Sequence, residues 1–199
     1  MNCITRLFKE DIHKDVKIDT TKTTSSSVTF KHALEIVFEY EGIYSNDRHD
    51  SGGKTKFGII EKEARRNGYE GKMIDMPKSL AEKIYKVKYW DALNLDNVSA
   101  HSPEIAIECF ECGVNMGIGI SGRFLQRSLN ALNRWSVIKD LKVDGKVGLL
   151  TVSKLGSYIG DYSRILKMQN SLQGARYIKL SENNNKLRKF MRGWFKRVY

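Results

Sequence analysis

Residues 41–59 read EGIYSNDRHDSGGKTKFGI, and the interpretation of the whole chain depends on this stretch. Glu41 ends an apolar helical pattern, a second acid, Asp50, follows nine positions later, and a Gly-Gly pair leads to Thr55. The polar residues between them are rich in turn formers, which predicts an irregular loop or a short hairpin. Two carboxyl groups on either side of one scissile bond are what glycoside cleavage requires.

The position of Glu41 on its predicted helix is unusual for a charged residue. The preceding apolar residues follow the three-four spacing of one buried stripe, and Glu41 continues that stripe: Phe30, Ala33, Leu34, Val37 and Phe38. Gly42 is suited to end the helix, which places Glu41 at the negative end of the helix dipole. Burial and the dipole are both expected to raise the pKa of Glu41, as a general acid requires. The alternative is a Glu at a helix end that turns out to solvent.

The loop after Glu41 offers partners for it. Asp50 could stabilise positive charge that develops at an anomeric carbon or orient a water, and Thr55 could hold that water. Asp47 competes with Asp50 for either role. The structural alternative for both Asp residues is turn capping, because Asp commonly bonds its own backbone two residues on.

The chain resembles glycoside hydrolase family 108, the N-acetylmuramidases that cut peptidoglycan. The stretch above is similar to the signature of that family, and the resemblance continues through Ile84-Tyr85 with Tyr89-Trp90-Asp91 and through the turn Gly113-Val114-Asn115-x-Gly117. Three later stretches resemble the family's companion peptidoglycan-binding segment: Leu125-Gln126-Arg127-x-Leu129-Asn130, Val143-Asp144-Gly145-x-x-Gly148-x-x-Thr151 and Arg192-Gly193-Trp194-x-x-Arg197-Val198. The chain departs from the family at Tyr40, Ile43 and Glu111, where His, Gly and Asp are common.

The resemblance implies a fold, a reaction and a set of site residues. The expected fold is mainly α, a lysozyme-like helical bundle with a small β-hairpin element beside the active-site cleft. The expected reaction is hydrolysis of the β-1,4 bond between N-acetylmuramic acid and N-acetylglucosamine. Glu41 is expected to be the proton donor, with Asp50 and Thr55 as its catalytic partners. Substrate contacts are expected from Tyr44, Asp47, Phe57 and Asn115, because aromatic faces and polar groups suit pyranose rings. No metal or organic cofactor is expected, because carboxyl groups suffice for acid catalysis.

The net charge of +11, from 34 Lys+Arg against 23 Asp+Glu, favours a polyanionic partner. Bacterial walls and membrane surfaces fit this description as well as nucleic acid does. Nucleic acid is not expected, because no zinc-finger spacing, aromatic RNA-binding signature or basic-region heptad repeat is present. The basic residues at 186–197 alternate with apolar ones, which predicts an amphipathic helix whose apolar face packs on the domain and whose charges are solvated. The alternative is direct electrostatic contact of these charges with the anionic wall or a membrane surface. Oligomeric state stays open.

The length of 199 residues predicts one compact domain. The segments that follow are parts of this domain rather than separate folding units. Residues 1–28 are expected to form an extension and polar linker, 29–119 the catalytic segment, and 120–199 the wall-binding-like segment packed against it. Helices are predicted near 103–116, 120–133, 149–158, 161–181 and 186–198. A capping box at Ser79–Glu82 is predicted to open an earlier helix, and Thr151 is predicted to cap a later one.

Three further expectations concern Cys residues, location and role. Cys109 and Cys112 are predicted to be small buried hydrophobes rather than a disulfide or, with His101, a metal site. Neither a signal peptide nor a membrane span is recognisable, which predicts a protein made in the cytoplasm that acts on the wall after release. By the same resemblance the expected setting is cell lysis by a phage endolysin, and a bacterial muramidase that helps a toxin leave the cell is the alternative. The alternative function is a non-catalytic wall-binding or virion structural protein on the same scaffold.

Overall fold

The computed structural model describes residues 26–41, 44–45, 54–133 and 139–198. Its α-helices are α1 (Ser26–Glu41), α2 (Glu61–Arg66), α3 (Lys78–Tyr85), α4 (Leu95–Ser99), α5 (Pro103–Met116), α6 (Ile118–Ala131), α7 (Leu149–Gly156), α8 (Tyr162–Asn183) and α9 (Met191–Trp194). A π-helical turn, Lys86–Asp91, extends α3, and 3-10 helices occupy Met73–Asp75, Asn185–Phe190 and Phe195–Arg197. The prediction of a mainly α fold is confirmed.

The small β element has three strands rather than the two of a hairpin. Its strands β1 (Tyr44–Ser45), β2 (Thr55–Lys56) and β3 (Ile59–Ile60) form one antiparallel sheet in the order β1-β2-β3. Each strand has only two residues, so the sheet depends on the helices against which it packs.

One hydrophobic core runs through most of the described chain, from Ala33 on α1 to Ile165 on α8. Phe110 of α5 lies at its centre, with the rings of Phe30, Trp90 and Tyr85 at 5.8, 5.7 and 6.2 Å between centroids. Burial of such rings removes large apolar areas from water and stabilises the fold by roughly 1.5–3 kcal/mol per large side chain. Helix α8 therefore shares its core with the helices that precede residue 117.

The π-helical turn is anchored to α4 by a buried indole. Trp90 Nε1 donates to Asp96 Oδ1 at 2.6 Å, and Lys86 Nζ contacts both Asp91 and, at 3.3 Å, Asp96. The extra residue of the π-helical geometry brings Trp90 into the core next to Phe30, where the ring centroids are 5.3 Å apart.

The C-terminal residues 185–197 are helical but do not form the single amphipathic helix that the sequence predicts. Two 3-10 segments flank the four-residue α9, and Trp194 stacks on Tyr177 of α8 with 5.0 Å between ring centroids. This stacking and the packing of Phe190 on Trp194 determine the local geometry, so tertiary contacts override the helical period. The charged side is exposed as predicted except for Arg197, which is buried, and the apolar side is packed except for Phe195, which is 41% exposed.

Several predicted helix boundaries agree with the structure, and two predicted caps are wrong. Helix α5 spans the predicted 103–116, and Ser102 caps it by accepting from the backbone N–H of Ile105 at 3.2 Å. The capping box at Ser79 is wrong because Pro77 is the N-cap residue and α3 begins at Lys78, two residues before the start that a Ser79 cap would give. Thr151 is not a cap either. It lies inside α7, where its hydroxyl donates to the carbonyl of Lys146 at 3.4 Å.

The segment that leads into α7 is a turn clamped to α6. Gly145 has a φ of +84°, and its backbone N–H donates to Gln126 Oε1 at 2.8 Å. Asp144 accepts from Gln126 Nε2 at 3.0 Å and from the backbone N–H of Lys146 at 2.8 Å. The Asp-Gly pair therefore acts as a turn, as predicted from its residue types.

None of the helices within the described residues combines the length and the apolar character needed to cross a lipid bilayer.

Candidate active site

The β element pairs the strand that carries Thr55 with the strand that follows α1. Glu41 is the last residue of α1, as the sequence predicts, and β1 begins three residues later. In the antiparallel pairing of β1 with β2, Thr55 lies directly opposite Ser45. Position 55 is thus brought beside the short segment that follows Glu41, although fourteen residues separate them in sequence. Thr55 is buried in this place.

A strained turn between β2 and β3 holds Thr55 in position. Phe57 and Gly58 have φ angles of +49° and +74°, the left-handed pair that suits a two-residue hairpin turn. A phenylalanine in this conformation is uncommon and needs support from its surroundings. The support comes from Tyr85 of α3, whose hydroxyl donates to the carbonyl of Phe57 at 3.2 Å.

The ring of Phe57 also ties the turn to the helix that carries Glu41. It packs on Phe38 of α1 with 5.5 Å between ring centroids and is half-buried there. Phe38 precedes Glu41 by three residues on the same helix. The contact fixes the turn relative to the end of α1, so Phe57 has a packing role whether or not it also contacts a sugar, which stays a prediction.

Two lysines line this part of the surface. Lys56 Nζ donates to the carbonyl of Ile74 and lies 5.3 Å from the ring centroid of Phe57. Lys78 Nζ lies 5.2 Å from the ring centroid of Phe38. Ammonium groups over aromatic faces are favourable, and here they add positive charge near the end of α1.

Asn115 lies near the C-terminus of α5, one residue before the helix ends. Its side-chain Nδ2 donates to the hydroxyl of Tyr177 on α8 at 2.5 Å. The amide therefore joins α5 to α8, and its predicted contact with substrate stays a prediction. Asp47 and Asp50 lie outside the described residues, and Glu41 and Tyr44 are placed by their backbone alone.

Comparison with known protein families divides the chain into two parts, close to the division predicted from the sequence. Residues 34–117 match the family described as Glycosyl hydrolase 108. Residues 121–199 match the family described as Predicted Peptidoglycan domain, so both parts of the predicted resemblance are confirmed, in the predicted order. We call the two parts the hydrolase segment and the peptidoglycan segment. Together the matches support a glycoside hydrolase that acts on peptidoglycan.

The fold is also similar to a solved structure, that of SagA from Brucella abortus. The TM-score is 0.63 at 23% sequence identity, over 86% of this chain and 90% of the SagA chain. This likeness extends across both segments and concerns the fold alone. No curated protein matches the chain.

The interface between the hydrolase and peptidoglycan segments contains two buried acids. The sequence analysis named Glu111 only as a departure from the family, and it did not name Glu108. Glu108 and Glu111 on α5 are 3% and 2% exposed. Desolvation, with a contribution from the nearby Glu111 charge, raises the pKa of Glu108 to about 8. Glu108 therefore carries its proton at neutral pH. The helical spacing of 105, 108, 109 and 112 contained a signal for this burial, because it places Glu108 beside the apolar stripe.

Polar groups of α8, in the peptidoglycan segment, contact residues of α5 near these acids. Gln169 Nε2 donates to Cys109 Sγ at 3.1 Å, and Gln173 Nε2 donates to the Tyr177 hydroxyl at 3.2 Å. Among the residues that the structure describes, the buried oxygens without a hydrogen-bond partner include Glu108 Oε1, Gln169 Oε1 and Gln173 Oε1. A protonated carboxyl suits such surroundings better than an ionised one, because it can donate to an acceptor oxygen.

The two cysteines behave as buried hydrophobes, as predicted. Both are free thiols, and desolvation raises the pKa of Cys109 to about 12 and that of Cys112 well above its usual value. Such thiols are protonated at neutral pH and are poor nucleophiles and metal ligands. Over the described ranges, no group of three or more His, Cys, Asp or Glu side chains is arranged to hold a metal ion.

Proposed function

We propose that the protein is an N-acetylmuramidase that hydrolyses the β-1,4 bond between N-acetylmuramic acid and N-acetylglucosamine. In this proposal Glu41 protonates the leaving glycosidic oxygen, and Asp50 acts on the opposite face of the sugar, either on the anomeric carbon or through a water. Thr55 positions that water or the sugar. The observation that carries the proposal is the pairing of Thr55 with Ser45, a residue four positions after Glu41, within the segment that matches the hydrolase family.

The geometry around α1 supports an acid at position 41. The helix ends at Glu41, so the four last carbonyl groups of α1 present their partial negative charge there. A negative environment favours the protonated carboxyl, the form from which a general acid donates. We propose four substrate contacts on the basis of residue type and position along the chain: Tyr44, Asp47, Phe57 and Asn115.

We also propose that the hydrolase and peptidoglycan segments act as one domain, with residues 1–28 as an extension before it. The continuous core and the Asn115–Tyr177 hydrogen bond support this arrangement. A double-mutant cycle with Asn115→Ala and Tyr177→Phe tests the coupling. An interaction free energy of about 1 kcal/mol in unfolding is expected, because a net hydrogen bond contributes that much. Strictly additive effects would argue against coupled segments.

Cleavage products identify the bond that is cut. Purified peptidoglycan is treated with the protein, reduced with borohydride and analysed by mass spectrometry. The proposal predicts fragments that end in reduced N-acetylmuramic acid. Fragments that end in reduced N-acetylglucosamine would show a different glycosidic bond. Protein that sediments with the wall without cutting it would favour a non-catalytic wall-binding role.

The setting proposed for this activity is lysis of a bacterial cell from within, as by an endolysin. Expression inside a bacterial host is expected to cause lysis only when the inner membrane is permeabilised separately. Lysis without permeabilisation would show that the protein reaches the wall unaided, and absence of lysis in both conditions would contradict the setting while leaving the chemistry to the product analysis.

A further inference from the structure

The surface of α7 has the reverse of the usual burial pattern. Leu149 and Leu150, in its first turn, are 80% and 79% exposed, whereas Lys154 on the same helix is 3% exposed. Leucine is normally among the buried residues and lysine among the exposed ones. Val143, in the turn before the helix, is also exposed at 40%. We call Val143, Leu149 and Leu150 the leucine patch.

The leucine patch is held rigidly by the inner face of α7. Thr151, Lys154 and Leu155 are buried against the body of the protein. Lys154 Nζ donates to Asn130 Oδ1 at 3.1 Å and to the carbonyl of Lys139 at 3.2 Å. The buried ammonium therefore fixes the helix and its leading segment to α6, and the two leucines point outward as a consequence of this anchoring. They are displayed without a cost for ordering the backbone when a partner binds.

Positive charge borders the patch. The ten residues before α7 contain three exposed lysines, Lys139, Lys142 and Lys146. We call these three lysines the lysine rim. The two acids of the same segment are paired with other groups: Asp144 accepts from Gln126 and the Lys146 backbone, and Asp140, whose side chain is 62% exposed, contacts Asn133 and the buried Lys154. The outward surface thus combines aliphatic side chains with ammonium groups.

We propose that the leucine patch and its lysine rim form a docking surface for an anionic lipid bilayer. Exposed aliphatic side chains enter the boundary between headgroups and acyl chains, while lysines beside them contact anionic headgroups. Binding places the enzyme at the membrane face that adjoins the wall. The surface and its test are independent of the chemistry proposed for Glu41.

Two other occupants fit the same surface less well. A second copy of the chain packed symmetrically would bring one lysine rim against another, and like charges facing each other oppose association. A glycan strand is recognised best by aromatic faces and amides, whereas the leucine patch is aliphatic. An anionic bilayer satisfies both the apolar and the charged parts of the surface.

Vesicle sedimentation with the full-length protein tests the proposal. The probes are vesicles of phosphatidylcholine alone and of phosphatidylcholine mixed with phosphatidylglycerol. The variants are Leu149→Ser with Leu150→Ser, and Lys142→Gln with Lys146→Gln. The matched control is Val87→Ser, which replaces an apolar residue that is 60% exposed in the hydrolase segment. Unchanged far-UV circular dichroism and thermal midpoint confirm that each variant is folded.

Binding to the mixed vesicles and much weaker binding to the neutral ones is the expected result. Within the double leucine variant, each of the two substitutions is expected to weaken vesicle binding about tenfold. Within the double lysine variant, each substitution is expected to weaken it about fivefold, whereas Val87→Ser has no effect. Salt at about 1 M, where the Debye length is about 3 Å, is expected to reduce the binding strongly.

Three results would overturn the proposal. The first is absence of binding to anionic vesicles. The second is vesicle binding that the leucine substitutions leave unchanged. The third is loss of sedimentation with purified peptidoglycan, or loss of a concentration-dependent dimer, in the leucine variant while vesicle binding persists. Such a result would assign the leucine patch to the glycan or to self-association.

Discussion

Replacement of Glu108 by glutamine is expected to stabilise the protein at neutral pH. Glu108 is buried on α5 with a pKa near 8, and it ionises near 4.5 once the chain is unfolded. Between these two values the unfolded chain binds fewer protons than the folded protein. The free energy of unfolding therefore falls as the pH rises through this window, and the loss is absent below 4.5.

The magnitude follows from the width of that window. Each pH unit between 4.5 and about 8 lowers the free energy of unfolding by about 1.4 kcal/mol, which gives a total of about 5 kcal/mol when Glu108 titrates alone. At pH 7 the loss is about 3 kcal/mol by the same conversion. Glutamine does not titrate, so the Glu108→Gln variant does not undergo this loss of stability.

The groups that face Glu108 determine whether it titrates alone. On its own helix these are Glu111, Cys109 and Cys112, and on α8 the hydroxyl of Tyr177. Burial raises the pKa values of both thiols, and that of Tyr177 to about 12, so these three groups stay neutral throughout the window. Glu111 is the one acid among them, and its charge adds to the cost of ionising Glu108.

Urea unfolding followed by circular dichroism, near pH 4.5 and near pH 8, measures the effect. The native protein is expected to lose stability between the two conditions, and Glu108→Gln to lose much less. Glu182→Gln, an exposed substitution on α8, is the control and is expected to follow the native protein. A variant with the same pH dependence as the native protein, or with lower stability near pH 8, would refute the assignment of a protonated Glu108.

The remaining predictions concern the turns that support each segment. Tyr85→Phe removes the donor to the Phe57 carbonyl, so we expect the free energy of unfolding to fall by about 1 kcal/mol and kcat on peptidoglycan to fall with little change in KM. A changed KM with unchanged kcat would instead indicate a contact with substrate. Gly145→Ala is expected to destabilise the protein by about 2 kcal/mol or more, because φ is +84° and the added Cβ would lie 2.5 Å from the carbonyl oxygen of Gly119. Gly148→Ala, with negative φ and no atom within 4 Å of the added Cβ, is expected to be nearly neutral; equal losses in urea unfolding would contradict the argument.

Periodicity predicted most of the central helices because their burial follows from local spacing. Helix α5 is an example: Pro103 and Ser102 mark its start, and its apolar positions recur at helical intervals. The end of α1 at Glu41 was predictable for the same reason, since Gly42 follows the last position of a regular stripe.

Features that depend on contacts distant in sequence were not predictable in this way. The C-terminal segment breaks into 3-10 and α turns because Trp194 stacks on Tyr177, seventeen residues earlier in sequence, and nothing in its own amphipathic pattern indicates this. Likewise, the hydrogen bond from the Tyr85 hydroxyl to the Phe57 carbonyl joins residues that are 28 positions apart in sequence. A buried Glu108 contradicts the general rule that carboxyl groups lie at the surface, so composition argued against it.

The predicted site is only partly placed by the fold. The end of α1, the strand that carries Thr55 and the turn at Phe57 are brought together by strand pairing and by the Phe38–Phe57 contact. The residue types of these positions suggested a site before their proximity was known, because a loop between a helix and a short strand is where catalytic groups commonly lie. The roles of Asp50, Asp47 and Tyr44 stay predictions.

The most direct test of the proposed mechanism compares two substitutions on the same helix. Glu41→Gln and Glu39→Gln remove one carboxyl each from the end of α1, and Glu39 is exposed. The rate of reducing-end release from purified peptidoglycan is measured for both folded variants and for the native protein. We predict that Glu41→Gln lowers the rate by about 10²–10⁴-fold, the usual contribution of a general acid, whereas Glu39→Gln leaves it unchanged. Equal rates for the two variants would remove Glu41 from the mechanism.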